Sequence, residues 1–376
     1  MQSVKLSAYR PTIAEIDLSA FSHNLNQFKN LAPDILLLAV IKTNAYGHGV
    51  FRIAQEAIDA GADRLGITTV EEGAYLRVNG VTSPIHLLCT VPFEQIKDIV
   101  TYDFIPSIST LEFAEKLSEE AEKAGKIIPV HAKIDVGLHR FGMAPEETGS
   151  FFRSSGSLPG ISFEGIYTHF SEADEANWDM TERQFSLFQH TVGDLEEEGY
   201  HFPIKHVGAS TIALERPDMY GDMIRPGIGL FGYTPDIRQE NMIPLKPVLA
   251  LKSKVLRVRK VPMNDGIGYG GNFVTGKECK IAIIPIGHGD GYSRFLSNKG
   301  EVLIRGKRAP IIGTISLDQT FVDVTAVPNV AEGDEVVLIG KQGYEEITAR
   351  EVAVWMGSIV DEVLASLSER IERVYV

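Results

Sequence analysis

The sequence predicts an α/β protein built from an N-terminal (β/α)8 barrel of the TIM type over residues 1–245 and a second, mainly β domain over residues 246–376. Three observations lead there. Eight short β-branched and apolar runs alternate with longer amphipathic stretches as far as residue 245. Polar or charged side chains recur at the C-terminal ends of those runs. After Pro247 the texture changes to short strands at close intervals separated by glycine-rich turns.

The eight runs are 35–42, 64–68, 85–89, 104–109, 130–135, 162–169, 205–210 and 224–229. Helical stretches lie between them, such as 49–60 and 110–124. Thr110 is a cap residue at the head of the second, where Phe113, Leu117 and Ala121 recur at helical spacing. Eight strand–helix units within roughly 200–250 residues is barrel arithmetic, although an open, doubly wound sheet fits the strand count as well. The polar strand ends favour the barrel: Lys42, Thr68, Cys89, Ser107, Lys133 with Asp135, His169, His206 with Ser210, and Arg225. A strand buried on both faces is apolar throughout, so charge recurring at one end needs a reason, and barrel enzymes place their chemistry at that rim.

In the second domain the strand-like runs are 255–261, 280–286, 302–304, 309–313, 321–324 and 336–339, with one helix expected near Ala349–Met356. A strand near 9–17 is free to pack with this domain. The short runs and glycine-rich turns read as a small, barrel-like β fold. The alternating stretch 252–260 reads as one exposed strand face, and the acidic run Glu196, Glu197, Glu198 as a solvated helix face.

Composition bounds the function. Apolar residues make up 44% and charged residues 23%, which is ordinary globular usage. The net charge of −14 is a poor match to a phosphate backbone, so no nucleic-acid partner is expected. The longest apolar run, 35–41, is too short to span a bilayer, and no signal-peptide core follows the N-terminus. Cys89 and Cys279 lie far apart and outside metal-ligand spacing. A reduced, cytoplasmic protein without a membrane or metal partner is the expectation.

The chemistry starts at Lys42. A lysine ending an apolar strand sits in a dry place where the ammonium form is disfavoured and the neutral amine comes within reach near neutral pH. Such an amine is a candidate for covalent attachment to a carbonyl. Around it, residues 39–49 (AVIKTNAYGHG) closely resemble the pyridoxal-phosphate motif of the alanine racemase family, and further landmarks follow in order to the C-terminus. That family pairs a barrel with a mainly β domain and acts as a homodimer with shared active sites. The resemblance implies that Lys42 holds pyridoxal 5'-phosphate covalently and is the base for the D-enantiomer, while Tyr46 contacts the phosphate. It implies that Lys133 is open to carbamylation. Arg140 would reach the cofactor's phenolic oxygen and the substrate carboxylate, and His169 would lie beside the cofactor ring. His206 backs Arg225, which would face the pyridine nitrogen; Ser210, Gly227 and Ile228 would cradle the phosphate. Tyr269 (in IGYGG) would be the base for the L-enantiomer, supplied by the other subunit, and Asp318 would stand near the entrance. The implied activity is racemisation of alanine by a two-base mechanism.

The chain departs from that pattern where the substrate is selected. His288 stands in place of a tyrosine that contacts the substrate carboxylate. Ser316 and Leu317 replace Cys-Met, although the backbone donor at Leu317 can still serve. Asp361 replaces a gate tyrosine, and Ala209 an asparagine before the phosphate serine. Losing two tyrosines widens the pocket, and Asp361, with Glu172, gives it negative character. Racemisation of larger polar or cationic amino acids (serine, lysine, arginine) is therefore one alternative to alanine; a pyridoxal-phosphate decarboxylase and a non-catalytic cofactor-binding protein are others. His48, between two glycines, reads as a turn residue, and His288 with Asp290 lacks a third ligand for a metal.

Overall fold

The computed structural model describes residues 10–376; residue 9 of the strand expected near 9–17 lies outside them. These residues form two units. One comprises residues 19–45 and 49–246, and the other residues 10–18, 46–48 and 247–376.

After strand β1 (Ile13–Ile16), which belongs to the second unit, the first unit carries eight strands: β2 (Leu36–Val40), β3 (Arg64–Ile67), β4 (Ile85–Leu87), β5 (Ile105–Ile108), β6 (Ile128–Lys133), β7 (Ile161–Tyr167), β8 (Ile204–His206) and β9 (Met223–Ile224). They pair in parallel in the order β8-β7-β6-β5-β4-β3-β2-β9, and a parallel bridge between Ala209 and Arg225 joins the two ends. All eight runs read from the sequence correspond to these strands. β2, β4 and β5 are buried along almost their whole length, as a sheet covered by helices requires. The helices carry their own start signals. Thr69 and Thr110 accept hydrogen bonds from the Glu72 and Phe113 amides, satisfying donors that the first turn leaves open. In the helix Val50–Asp59 the buried residues are Val50, Ile53, Ala54 and Ala57, one face of a 3.6-residue repeat.

One irregularity shapes the barrel interior. Val130 pairs with Phe163 and His131 with Gly165, so Glu164 is an extra residue in β7, a bulge that re-aims the side chains beside it. Phe163 packs against Phe151 and Phe152. A β-carbon on Gly165 would lie 2.4 Å from the His131 ring.

The second unit is built on strands. β1 pairs antiparallel with β10 (Leu249–Lys254) and parallel with β18 (Glu372–Tyr375). With β13 (Glu301–Ile304), β14 (Lys307–Pro310), β16 (Glu335–Gln342) and β17 (Glu345–Ile347) these make a seven-stranded sheet. β11 (Arg257–Val261), β12 (Cys279–Ile284) and β15 (Thr320–Asp323) make a three-stranded one. A core of Ile267, Cys279, Ile281 and Ile312 packs beside it. The stretch 252–260 is not the single exposed strand face expected. β10 alternates buried and exposed residues, the chain breaks at Val255–Leu256, and only β11 is largely exposed. The expected helix Ala349–Met356 is present, capped by Thr348, and a second, Val360–Ala365, follows it.

Gly165→Ala tests the bulge. The added methyl group drives into the His131 ring, and a loss of about 1–3 kcal/mol in unfolding free energy is expected, measured by urea denaturation of the purified protein.

Candidate active site

Lys42 follows β2 at the C-terminal end of the parallel strands. The next residues form a left-handed turn: Thr43, Asn44, Ala45 and Tyr46 all have φ between 51° and 57°, a region costly for residues with a β-carbon. Hydrogen bonds secure it. The Ala45 amide donates to Ile41 O, the Asn44 amide to Glu72 Oε1 at 2.7 Å, and Asn44 Oδ1 accepts from the Val50 amide at 2.8 Å. Glu72 Oε2 is buried without a hydrogen-bond partner among the described residues. One of the groups securing the turn is thus a carboxylate from the helix after β3.

Cations gather on this rim. Burial, then the charges of Arg225, Lys133, Arg140 and Lys42, hold the half-buried His169 well below the usual imidazole range, so its ring is neutral. Lys133, at the end of β6, is lowered to about 8 by burial and then by Arg225 and Arg140. Its ammonium stands 5.1 Å from the Tyr167 ring centre. Arg140 lies on an exposed stretch beyond β6. Burial also raises the Cys89 thiol, which donates to Thr68 O at 2.7 Å.

Arg225, like Lys133, is only 4% exposed. It donates to His206 Nδ1 at 2.8 Å, Thr168 O at 2.9 Å and Val207 O at 3.1 Å. Burial lowers it to about 10, so it stays charged at neutral pH. Tyr167 stacks flat on His206 with ring centres 4.6 Å apart, and its hydroxyl is 2.5 Å from Ser107 Oγ. Nearby, Ser210 opens a short helix and accepts the Gly227 amide at 3.0 Å, while Gly227 and Ile228 open a 3-10 turn.

The remaining residues singled out from the sequence fold with the β unit. Tyr46 is buried; burial, then the charge of Asp361, raises its phenol. Asp361 occupies the first turn of Val360–Ala365, so it lies near the very tyrosine expected to touch a phosphate. Gly47 has φ +81°, and a β-carbon there would meet Leu364 O at 2.2 Å. His48 is fully buried, with Nδ1 2.9 Å from Tyr46 O. Tyr269 is 75% exposed on a 3-10 turn. The loop carrying Leu317 and Asp318 pairs with the turn at His288, through His288 N to Ser316 O and Gly289 N to Leu317 O. Asp290 is buried against Arg10, which bonds both its oxygens, and Arg370 pairs with Asp318 at 2.6 Å.

Sequence reasoning missed Tyr167, His131, Glu164 and Arg64, which line the barrel interior. His131 and Lys133 share the inward parity of β6, which was a usable signal; the bulge at Glu164 hid the corresponding one in β7. A phosphorylated, carbonyl-bearing cofactor fits the rim: Lys42 offers an amine, Arg225, Arg140 and Lys133 offer positive charge, and the Ser210 and Gly227 segments offer helix starts for an anion.

Comparison with known proteins agrees. The family description "Alanine racemase, N-terminal domain" matches residues 16–235, and "Alanine racemase, C-terminal domain" matches residues 248–375. A curated protein named alanine racemase from Halothermothrix orenii is 41% identical over 97% of both chains. The solved alanine racemase of Clostridium difficile 630 superposes with a TM-score of 0.94 at 36% identity, covering 99% of this chain and 97% of that one. A histidine racemase from Leuconostoc mesenteroides superposes at 0.90 with 30% identity, covering 98% and 99%.

Replacing Glu72 with leucine should free the Asn44 amide. Hydrogen exchange at that amide is expected to accelerate and stability to fall by about 1–3 kcal/mol, whereas Glu72→Gln, which keeps an acceptor oxygen, should stay close to the wild type.

Proposed function

The chain belongs to the alanine racemase family, and on that premise we propose that it interconverts L- and D-alanine with pyridoxal 5'-phosphate as a cytoplasmic homodimer that shares residues between its active sites. The observation that carries the reading is Arg225, a buried cation at the mouth of the barrel among Lys42, Lys133, Arg140 and His169. A guanidinium does not hand over its proton, so a pyridine nitrogen held against Arg225 would stay unprotonated and its ring would withdraw electrons less strongly. That favours return of the α-proton over side reactions such as decarboxylation or amino transfer.

When bound, the cofactor supplies the electron sink that acidifies the α C–H of the amino acid. The rest is done by this chain. Lys42 holds the cofactor and takes or returns the proton on one face. Tyr269 of the partner subunit serves the other, a role supported by its exposure on this chain. Arg140 pairs with the substrate carboxylate, which a bidentate guanidinium fits. His169, neutral, offers a lone pair or an N–H but no charge. Ser210, Gly227 and Ile228 would hold the phosphate, and Tyr46 is the candidate for a further contact to it. His288, Leu317, Asp318 and Asp361 of the β unit are the further candidates for contact with the substrate. Alanine is favoured because the relatives above 30% identity named here carry the alanine racemase name.

Lys133 supports a second proposal. As a cation it is disfavoured beside Arg225 and Arg140. The neutral amine can add carbon dioxide, forming an N–C bond and releasing a proton, and the resulting carbamate is an anion that the same two arginines stabilise. The signal of this adduct in 13C-bicarbonate NMR is expected to grow as pH rises through about 8, the region where Lys133 loses its proton, and to vanish in Lys133→Gln.

The activity itself is read by α-proton exchange in heavy water on alanine, serine, lysine, arginine and histidine. Exchange should be fastest on alanine; faster exchange on a larger side chain would overturn the alanine assignment. Tyr269→Phe should slow exchange from L-alanine by about 10²–10⁴-fold while D-alanine still exchanges through Lys42 without inversion, and Lys42→Ala should abolish both.

A further inference from the structure

Behind Arg225 the interior of the barrel carries a line of polar side chains to which the proposed reaction assigns no role. Arg225 donates to His206 Nδ1 at 2.8 Å. His206 Nε2 lies 2.8 Å from His131 Nδ1, and His131 Nε2 lies 3.1 Å from Glu164 Oε2. Arg64 closes the line, bonding both Glu164 oxygens at 2.6 and 3.0 Å. His131 and His206 are buried, while Glu164 is 28% exposed at the far end.

We propose that His131 and Glu164 are positioning residues for the racemisation: with His206 they form a one-way hydrogen-bond chain that fixes the proton on each imidazole and holds Arg225 as a charged donor at the barrel mouth. The proposal rests on the reading of Arg225 given under the proposed function.

The direction of the chain follows from its ends. A guanidinium has no acceptor, so His206 Nδ1 must accept and the His206 proton sits on Nε2. That proton points at His131 Nδ1, which must accept in turn, leaving the His131 proton on Nε2 facing Glu164. A carboxylate can only accept. Reversing any one ring sets two N–H groups or two lone pairs against each other in a place closed to water, a costly arrangement.

Both rings are held neutral. Burial, then Arg225, keeps His206 well below its ordinary range, and burial lowers His131. Burial would raise Glu164, but its bonds from His131 and Arg64 hold it at about 2, so the chain ends on a full negative charge. The fold makes room for this line. The extra residue in β7 is Glu164 itself, and Gly165 leaves the space that the His131 ring fills. His86, His131 and Glu164 also converge as three potential metal ligands. Arg64, however, already donates to Glu164 and lies 3.1 Å from His86 Nε2, so a cation occupies that position.

The test uses the cofactor-loaded protein with 15N-labelled histidine, without added amino acid, and reads which ring nitrogen carries the proton. The wild type should show His131 and His206 both protonated on Nε2. Glu164→Leu should move both rings to mixed tautomers, shift the absorption of the bound cofactor, and lower kcat for alanine about 10–100-fold with KM within about twofold. Glu164→Gln, which retains one acceptor oxygen, should restore the wild-type histidine pattern and part of the rate. His131→Phe, which removes the acceptor from His206 directly, reads the same chain should Glu164→Leu fail to fold. An Nδ1 proton on either ring of the wild type, or a Glu164→Leu protein with unchanged His206 signals or unchanged kcat, overturns the proposal. A wild type that leaves alanine untouched overturns the substrate reading alone, because the histidine spectra decide the chain without substrate.

Discussion

Arg225 brings a positive charge into the interior of a parallel barrel, where an ion without partners costs several kcal/mol, and much of the surrounding architecture answers that one demand. Two strand-end carbonyls, Thr168 O and Val207 O, turn towards it. His206 gives up its Nδ1 lone pair, and the Tyr167 ring lies 5.3 Å from the guanidinium carbon. Each of these partners needs support of its own. Tyr167 is anchored through Ser107 and Leu88 O, and its phenol is pushed up to about 12 by burial, so it remains a neutral surface beside the cation. His206 passes its own proton along to His131. A barrel interior is ordinarily filled by layers of branched aliphatic side chains. Here Tyr167, His206 and His131 take up interior positions instead.

The same logic explains how a chain of net charge −14 presents a positive rim. Lys42, Lys133, Arg140 and Arg225 are near enough to one another to depress the same imidazole. The local field at the strand ends is thus opposite in sign to the molecule's total, which favours a phosphorylated cofactor and a carboxylate substrate. Mutual repulsion among those cations is eased because one of them, Lys133, is lowered to about 8 by burial and then by its neighbours. The rim can therefore lose a charge where crowding is greatest without losing the donor that faces inward.

Much of this was legible in the residues. The eight barrel strands were visible as apolar runs because strands covered on both faces leave little room for other composition, and Thr110 announced its helix through the hydroxyl it offers the Phe113 amide. Lys42 could be singled out because it ends such a run. The β unit was harder. β10 and β11 merged into one alternating stretch, since the break at Val255–Leu256 carries no glycine or proline. The helix Val360–Ala365 spans under two turns, too few for a period to show. The histidine chain was invisible for another reason. Bulges shift strand parity by one, and Glu164 on the expected pattern points away from His131. The resemblance supplied identities for the rim residues but not the support beneath them.

The left-handed turn after Lys42 could not be read either, because Thr, Asn, Ala and Tyr include only one residue, Asn44, that visits positive φ readily. Its existence says something about the lysine. Left-handed geometry costs roughly 1–2 kcal/mol for each residue with a β-carbon, and four in succession cost more than a few backbone hydrogen bonds return. Tertiary structure must dictate the turn, and the contacts show where: Asn44 is held from both sides by Glu72 and Val50, and Ala45 and Tyr46 are buried. Tyr46 opens the short segment that folds with the β unit. Lys42 thus sits two residues past the end of β2 and immediately before the left-handed residues, with strand on one side and an enforced turn on the other. An amine that must both hold a cofactor and move a proton gains from that restraint, since the placement of the reacting atom is settled before any substrate arrives.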